Sequence, residues 1–136
     1  MKVIQTQNKL IPAGHYSQAI EHNGMVYISG QLPINPDTGE QVHGDIAEQA
    51  RTVLNNIKLI LETANSSVNN VLKVSVFIPD IALWDKVNEV YAEFFGDHKP
   101  ARCVVPTSKL HFDFKLEIEC VAFMNEEPEH APSLAG

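Results

Sequence analysis

The chain has 136 residues, 44% apolar and 20% charged, the balance of one soluble globular domain with a sizeable core. Its formal net charge is −7, so a nucleic-acid surface would have to be built against the field of the whole molecule. No apolar run is long enough to span a membrane, and Met1–Leu10 lacks the basic-then-apolar order of a signal peptide, so the cytoplasm is the expected compartment. Cys103 and Cys120 fall in predicted strands and read as free, buried thiols rather than a disulfide. No His/Cys/Asp spacing resembles a metal site; Asp97-His98, His111 and Asp113 read as solvated loop residues.

Val3–Gln5 reads as a short edge strand, and Asn8–Tyr16, broken by Pro12 and Gly14, as a loop apolar enough to lie over something. Ser17–Glu21 and Met25–Ser29 are short β-type runs around Asn23-Gly24, a strong hairpin signal. Gly30–Gly44 is rich in turn residues and predicts an ordered loop with a small hairpin of its own. Asp45 then opens a helix, with Glu48 three residues on as in a capping box. Ile46, Ala50, Val53, Leu54, Ile57, Leu61 and Ala64 form one apolar stripe, and Asn65-Ser66-Ser67 ends it.

Val71–Ile78 is the clearest strand, with Leu72, Val74, Val76 and Ile78 on one face and Lys73, Ser75 and Phe77 on the other. A second helix from Ala82 carries Leu83, Val87, Tyr91, Phe94 and Phe95 inward and ends near Gly96. Lys99–Met124 predicts a pair of strands joined by a ten-odd-residue loop. In the second, Leu116, Ile118, Cys120 and Ala122 share a core face, leaving Glu117, Glu119, Val121 and Phe123 opposite. Arg102, at the start of the first, is near enough in sequence to reach those carboxylates. Residues 1–124 form the expected domain and Asn125–Gly136 a loose polar tail.

The order predicts an α+β fold, a mixed sheet of five to six strands with two helices packed on one face. Nothing remains to cover the other face, which carries Lys73, Ser75, Phe77, Glu117, Val121 and Phe123, so self-association is expected. Arg102 presents a planar fork suited to a small carboxylate, or else a salt bridge to Glu119. A half-buried Glu117 can position water and exchange protons, a role its spacing alone leaves equally open to Glu119.

The segments GHYSQA (Gly14–Ala19), VYISGQLPINPDTGE (Val26–Glu40), VLKVSVFIPD (Val71–Asp80), VNEVYAEFF (Val87–Phe95), PAR (Pro100–Arg102) and LEIECVA (Leu116–Ala122) occur in an order and spacing that resemble the reactive-intermediate deaminase family, RidA or YjgF/YER057c/UK114. The resemblance runs from about Thr6 to Met124. It implies a chorismate-mutase-like fold (bacillus type) assembled as a homotrimeric barrel, with sites between subunits. It also implies hydrolysis of 2-imino acids and enamines, such as 2-aminoacrylate, to 2-keto acids and ammonia, without cofactor or metal. By position, Arg102 is then the carboxylate-binding arginine and Glu117 the water-activating glutamate. Tyr16 and Asn88 join the site, and Ser29 and Gly30 border it.

Two departures bear on substrate range. The family's Arg-Ser-Cys-Val reads Arg102-Cys103-Val104-Val105 here, so Val104 takes a pocket position that often holds cysteine, and the Lys109–Phe114 loop is bulkier than usual. They motivate two rivals: a non-catalytic small-ligand-binding member, and a deaminase of another acid such as an aminomuconate. A ribonuclease role, proposed for relatives, is opposed by the net charge and by the lack of an Arg/aromatic stripe.

Overall fold

In the computed structural model, residues 1–126 are described. They form a six-stranded mixed sheet with two helices on one face, the expected fold class. The strands are β1 (Lys2–Ile4), β2 (Ala19–His22), β3 (Met25–Gln31), β4 (Val71–Ile78), β5 (Ala101–Pro106) and β6 (Glu117–Phe123), in the order β1-β2-β3-β6-β4-β5. Only β4 and β5 run parallel.

The local signals work as physical chemistry requires. Asn23 (φ 53°) and Gly24 (φ 78°) supply the two left-handed residues of a tight turn between His22 and Met25. Helix α1 (Ile46–Thr63) starts where the Asp45 carboxylate accepts from the Glu48 N–H at 2.9 Å. It ends with Asn65 left-handed, Asn65 N–H on the Glu62 carbonyl and Ser66 N–H on the Leu61 carbonyl, which satisfies two orphan acceptors. Helix α2 (Trp84–Phe95) buries Val87, Val90, Tyr91 and Phe95. Both helices pack on Val26, Ile28, Val74, Val76, Ile78, Ile118, Cys120 and Ala122 of the sheet.

Several expectations need correction. Leu72 is 45% exposed, and Val71 takes the buried position instead. The cause is a bulge: Val71 pairs with Ala122 but Lys73 with Val121, so one extra residue resets the alternation. Leu83 lies in a 3₁₀ turn ahead of α2, and Gly30 and Gln31 belong to β3 rather than to the following loop, whose own small hairpin is the Ile34–Gln41 bridge. Strands β5 and β6 are not neighbours, because β4 lies between them.

Cys103 is exposed beside Ser75, since its parallel register with Ser75 turns it away from the helices; Cys120 is buried as expected. The expected tail is not loose at its start: Asn125 N–H donates to the Asn65 carbonyl, and its side chain accepts from Asn70. The rest of the tail, from residue 127, lies outside the described residues. The face away from the helices remains open, with Tyr27, Phe123 and Val105 exposed and Phe77 and Val121 half-buried.

Candidate functional site

Arg102 sits on the edge strand β5 in register with Val74, so its side chain emerges on the helix-covered side. There its guanidinium carbon lies 4.5 Å from the centre of the Trp84 ring and 5.0 Å from that of Tyr91. Its Nη1 donates to Asn88 Oδ1 at 3.1 Å. No carboxylate pairs with it among the described residues, which leaves the charge and the remaining N–H groups for a ligand and removes the salt bridge to Glu119 as an explanation. Asn88, Tyr91 and Arg102 line a cavity of about 330 Å³. Burial pushes the Tyr91 phenol up to about 12, so it stays a neutral donor, and its oxygen has no hydrogen-bond partner among the described residues. Val104, two residues along the same side, packs against the core.

Glu117 stands in register with Phe77, on the open face. Burial raises its pKa above the usual carboxylate value, Glu119 adds to the rise, and nearby His111 opposes it. Its carboxylate lies directly against Gly30, where any Cβ would collide with it. Gly30 reaches that place through a second bulge: Ile28 pairs with Cys120 but Gln31 with Ile118, three residues of β3 advancing against two of β6. Gly30 also lines a cavity of about 230 Å³ with Tyr16 and Phe112. The Tyr16 hydroxyl accepts from the Ala13 N–H at 3.4 Å, and Ser29 Oγ donates to the Ser17 carbonyl at 2.6 Å, so both tie the border loop in place.

Within one chain the candidate residues therefore form two groups, not one. Arg102 and Asn88 meet on the helix side; Glu117, Gly30, Ser29 and Tyr16 gather on the other. The expectation that Arg102 reaches across to the β6 carboxylates fails, because β4 intervenes and the register turns Arg102 to the opposite face. Asn88, which the resemblance places in the site, is exposed and accepts from Arg102.

A model of the endoribonuclease L-PSP family matches residues 6–124. The chain belongs to this family. It is the RidA/YjgF family of the sequence resemblance, and relatives within it span nearly the whole chain. A RutC family protein of Pyrococcus horikoshii is 52% identical over 122 residues, 90% of this chain and 97% of its own. An Escherichia coli protein named "Putative reactive intermediate deaminase TdcF" is 41% identical over 124 residues, 89% of this chain and 95% of its own. The crystal structure of Escherichia coli TdcF with bound serine superposes at a TM-score of 0.86 and 40% identity, covering 92% of this chain and all of that one.

Two features of this L-PSP family member escaped the sequence reading. Trp84, Asn88 and Tyr91 follow the i, i+4, i+7 spacing of one helix face, a signal present in the sequence that links Trp84 to Asn88 and gives Tyr91 a second role beside its core packing. His111 is exposed as expected, yet its position opposes the rise of the Glu117 pKa; His98, expected in solvent, is half-buried with Nε2 2.7 Å from the Val71 carbonyl oxygen. Among the described residues no group of three or more side chains could hold a metal ion, and no helix is long and apolar enough to cross a membrane.

Proposed function

We propose that this protein hydrolyses reactive 2-imino acids and their enamine tautomers, such as 2-aminoacrylate, 2-iminopropanoate and 2-iminobutanoate, to 2-keto acids and ammonia. It does so as a homotrimer whose sites lie between subunits. Arg102, held by Asn88, grips the substrate carboxylate from one protomer; Glu117, with Gly30, Ser29 and Tyr16 beside it, comes from its neighbour. The single observation that carries this reading is the separation, on opposite faces of one sheet, of a half-buried glutamate from an aromatic-braced arginine with which no carboxylate pairs among the described residues. Each half lacks what the other holds. The edge position of β5 and the open apolar face supply the surfaces through which two copies can join them.

In the reaction Glu117 takes a proton from water as the oxygen attacks the C=N carbon. That proton passes to nitrogen to give an aminoalcohol; its hydroxyl proton then follows to the same nitrogen as the C–N bond breaks, so ammonia leaves and the carbonyl forms. Hydrolysis already proceeds in water, so holding the carboxylate and aiming one water is sufficient catalysis. The deaminase name of a relative 41% identical and the small amino acid bound by its crystal structure support this substrate class.

Mixing two inactive variants tests the assembly. Arg102→Ala and Glu117→Gln protomers, denatured and refolded together at equal amounts, should regain roughly a quarter of the wild-type sites, because each site draws one residue from each of two copies. No recovery in a mixture that reassembles would place both residues in the same protomer's site and end the proposal.

A non-catalytic ligand-binding role is favoured by Val104 and the bulky Lys109–Phe114 loop, and bound keto acid without faster imine decay would support it. The family's description points to RNA cleavage; with a net charge of −7, strongly salt-dependent RNA binding would be needed to support that role.

A further inference from the structure

We infer that the cavity beside Glu117 receives the substrate's side chain, and that it is built for a branched or aromatic apolar group rather than a methyl. The inference rests on the deaminase reading and narrows it. Gly30 both carries the Glu117 carboxylate and floors this cavity, so a substrate carbon held at Glu117 has the cavity as its next space.

Leu10, Ile11, Pro12, Leu32, Tyr16 and Phe112 make most of the wall, with the exposed Lys9 and Gln41 as its polar part beside two glutamines. Its two buried glutamines are committed elsewhere: Gln18 donates to Thr6 and the Leu10 carbonyl and accepts from the Thr6 N–H, and Gln31 donates to the Ser29 carbonyl. What the cavity offers a ligand is therefore mainly apolar. Its volume of about 230 Å³ holds roughly seven waters at ~30 Å³ each, and a methyl group would leave most of them in place.

Phe112 is the second observation. Its backbone is left-handed (φ 57°, ψ 24°), as is that of Asp113 after it (φ 57°), a conformation that a bulky L-residue rarely adopts. The residue is 54% exposed, and its ring lies tilted to His111, with centroids 6.2 Å apart, and steeply inclined to Phe114 at 5.8 Å. Phe114, 1% exposed, anchors the loop to the protein; Phe112 does not. A strained backbone and a wet aromatic ring persist at the rim of a cavity because the ring closes it over a ligand.

The test compares imines made in situ by an amino acid oxidase from L-leucine and L-alanine, with decay followed by semicarbazide trapping. Each additional buried methylene favours binding by about fourfold, so kcat/KM for the leucine-derived imine should exceed that for the alanine-derived one by roughly tenfold or more. Phe112→Gly and Phe112→Asn, both at ease at positive φ, should bring that ratio toward one. Binding of 4-methyl-2-oxopentanoate against pyruvate, read from the fluorescence of Trp84, the only tryptophan, gives the same ranking without turnover. A wild-type ratio near one, or a ratio that both variants leave unmoved, overturns the inference while the deaminase reading stands. If neither imine decays faster, the deaminase reading falls; tighter binding of the larger keto acid then still supports the subsite, and equal binding overturns it.

Discussion

The two halves of the proposed site are made rigid in opposite ways. Around Arg102 the work is done by side chains: one helix face offers Trp84, Asn88 and Tyr91, two rings for the guanidinium and one acceptor for its Nη1. Around Glu117 it is done by the backbone: a bulge in β3 brings a residue without a Cβ under the carboxylate. A cation keeps its charge when packed on aromatic faces, whereas a carboxylate packed against bare backbone loses solvation and holds its proton more tightly. The first arrangement suits permanent binding of an anion, and the second suits a group that exchanges protons.

The strongest way to break this comparison is Arg102→Ala, which removes the only group proposed to grip the substrate carboxylate. Two charge-assisted bonds at ~1.5–3 kcal/mol each imply a loss of about 10³-fold or more in kcat/KM, while sedimentation shows the oligomer intact. Full activity in imine decay would remove Arg102 from the mechanism. Glu117→Gln comes next, with kcat down about 10²- to 10³-fold and loss of the rise in rate as pH passes through the glutamate's elevated pKa.

The same substitution has a stability signature of defined sign. The folded chain holds the Glu117 proton more tightly than the unfolded chain, whose carboxyl titrates near 4.5. That contribution to stability is therefore present below the unfolded value and is lost as pH rises through the folded one. Glu117→Gln should gain stability over wild type from pH 4 upward, read as a widening gap in thermal midpoint. A gap that narrows with pH contradicts the burial argument.

Gly30→Ala sharpens the contrast from the backbone side. Its new methyl displaces the Glu117 carboxylate, with an expected ~1–3 kcal/mol of destabilisation and about a tenfold loss of kcat. Trp84→Leu is the mildest. Losing one cation–π contact worth ~0.5–1 kcal/mol should raise KM by about two- to fivefold with kcat held, and a fall confined to kcat would show that Trp84 does something other than brace Arg102.

Features decided within a few residues were legible beforehand: the α1 stripe with its Asp45 cap, the Asn23-Gly24 hairpin, the Ala122-to-Leu116 alternation of β6. Each depends on contacts along the chain or on one periodicity. The candidate residues were legible too, but their grouping was not, and the misplacements of Leu72 and Cys103 show why. Alternation says which residues share a face only while the ladder is unbroken, and the bulge after Val71 shifts it by one. It does not say which strand lies alongside, and Cys103 faces outward because β5 joins β4 in parallel.

By itself, then, the sequence determined most of the elements, the α+β class and the family, and it named Arg102 and Glu117 as candidates. Only the tertiary structure decided that these two side chains leave the sheet on opposite faces, that Trp84 and Tyr91 serve the arginine, and that Phe112 rims a cavity. The physical reason is that strand order and bulges are properties of pairing between distant segments, and a single strand's pattern carries no record of its partner.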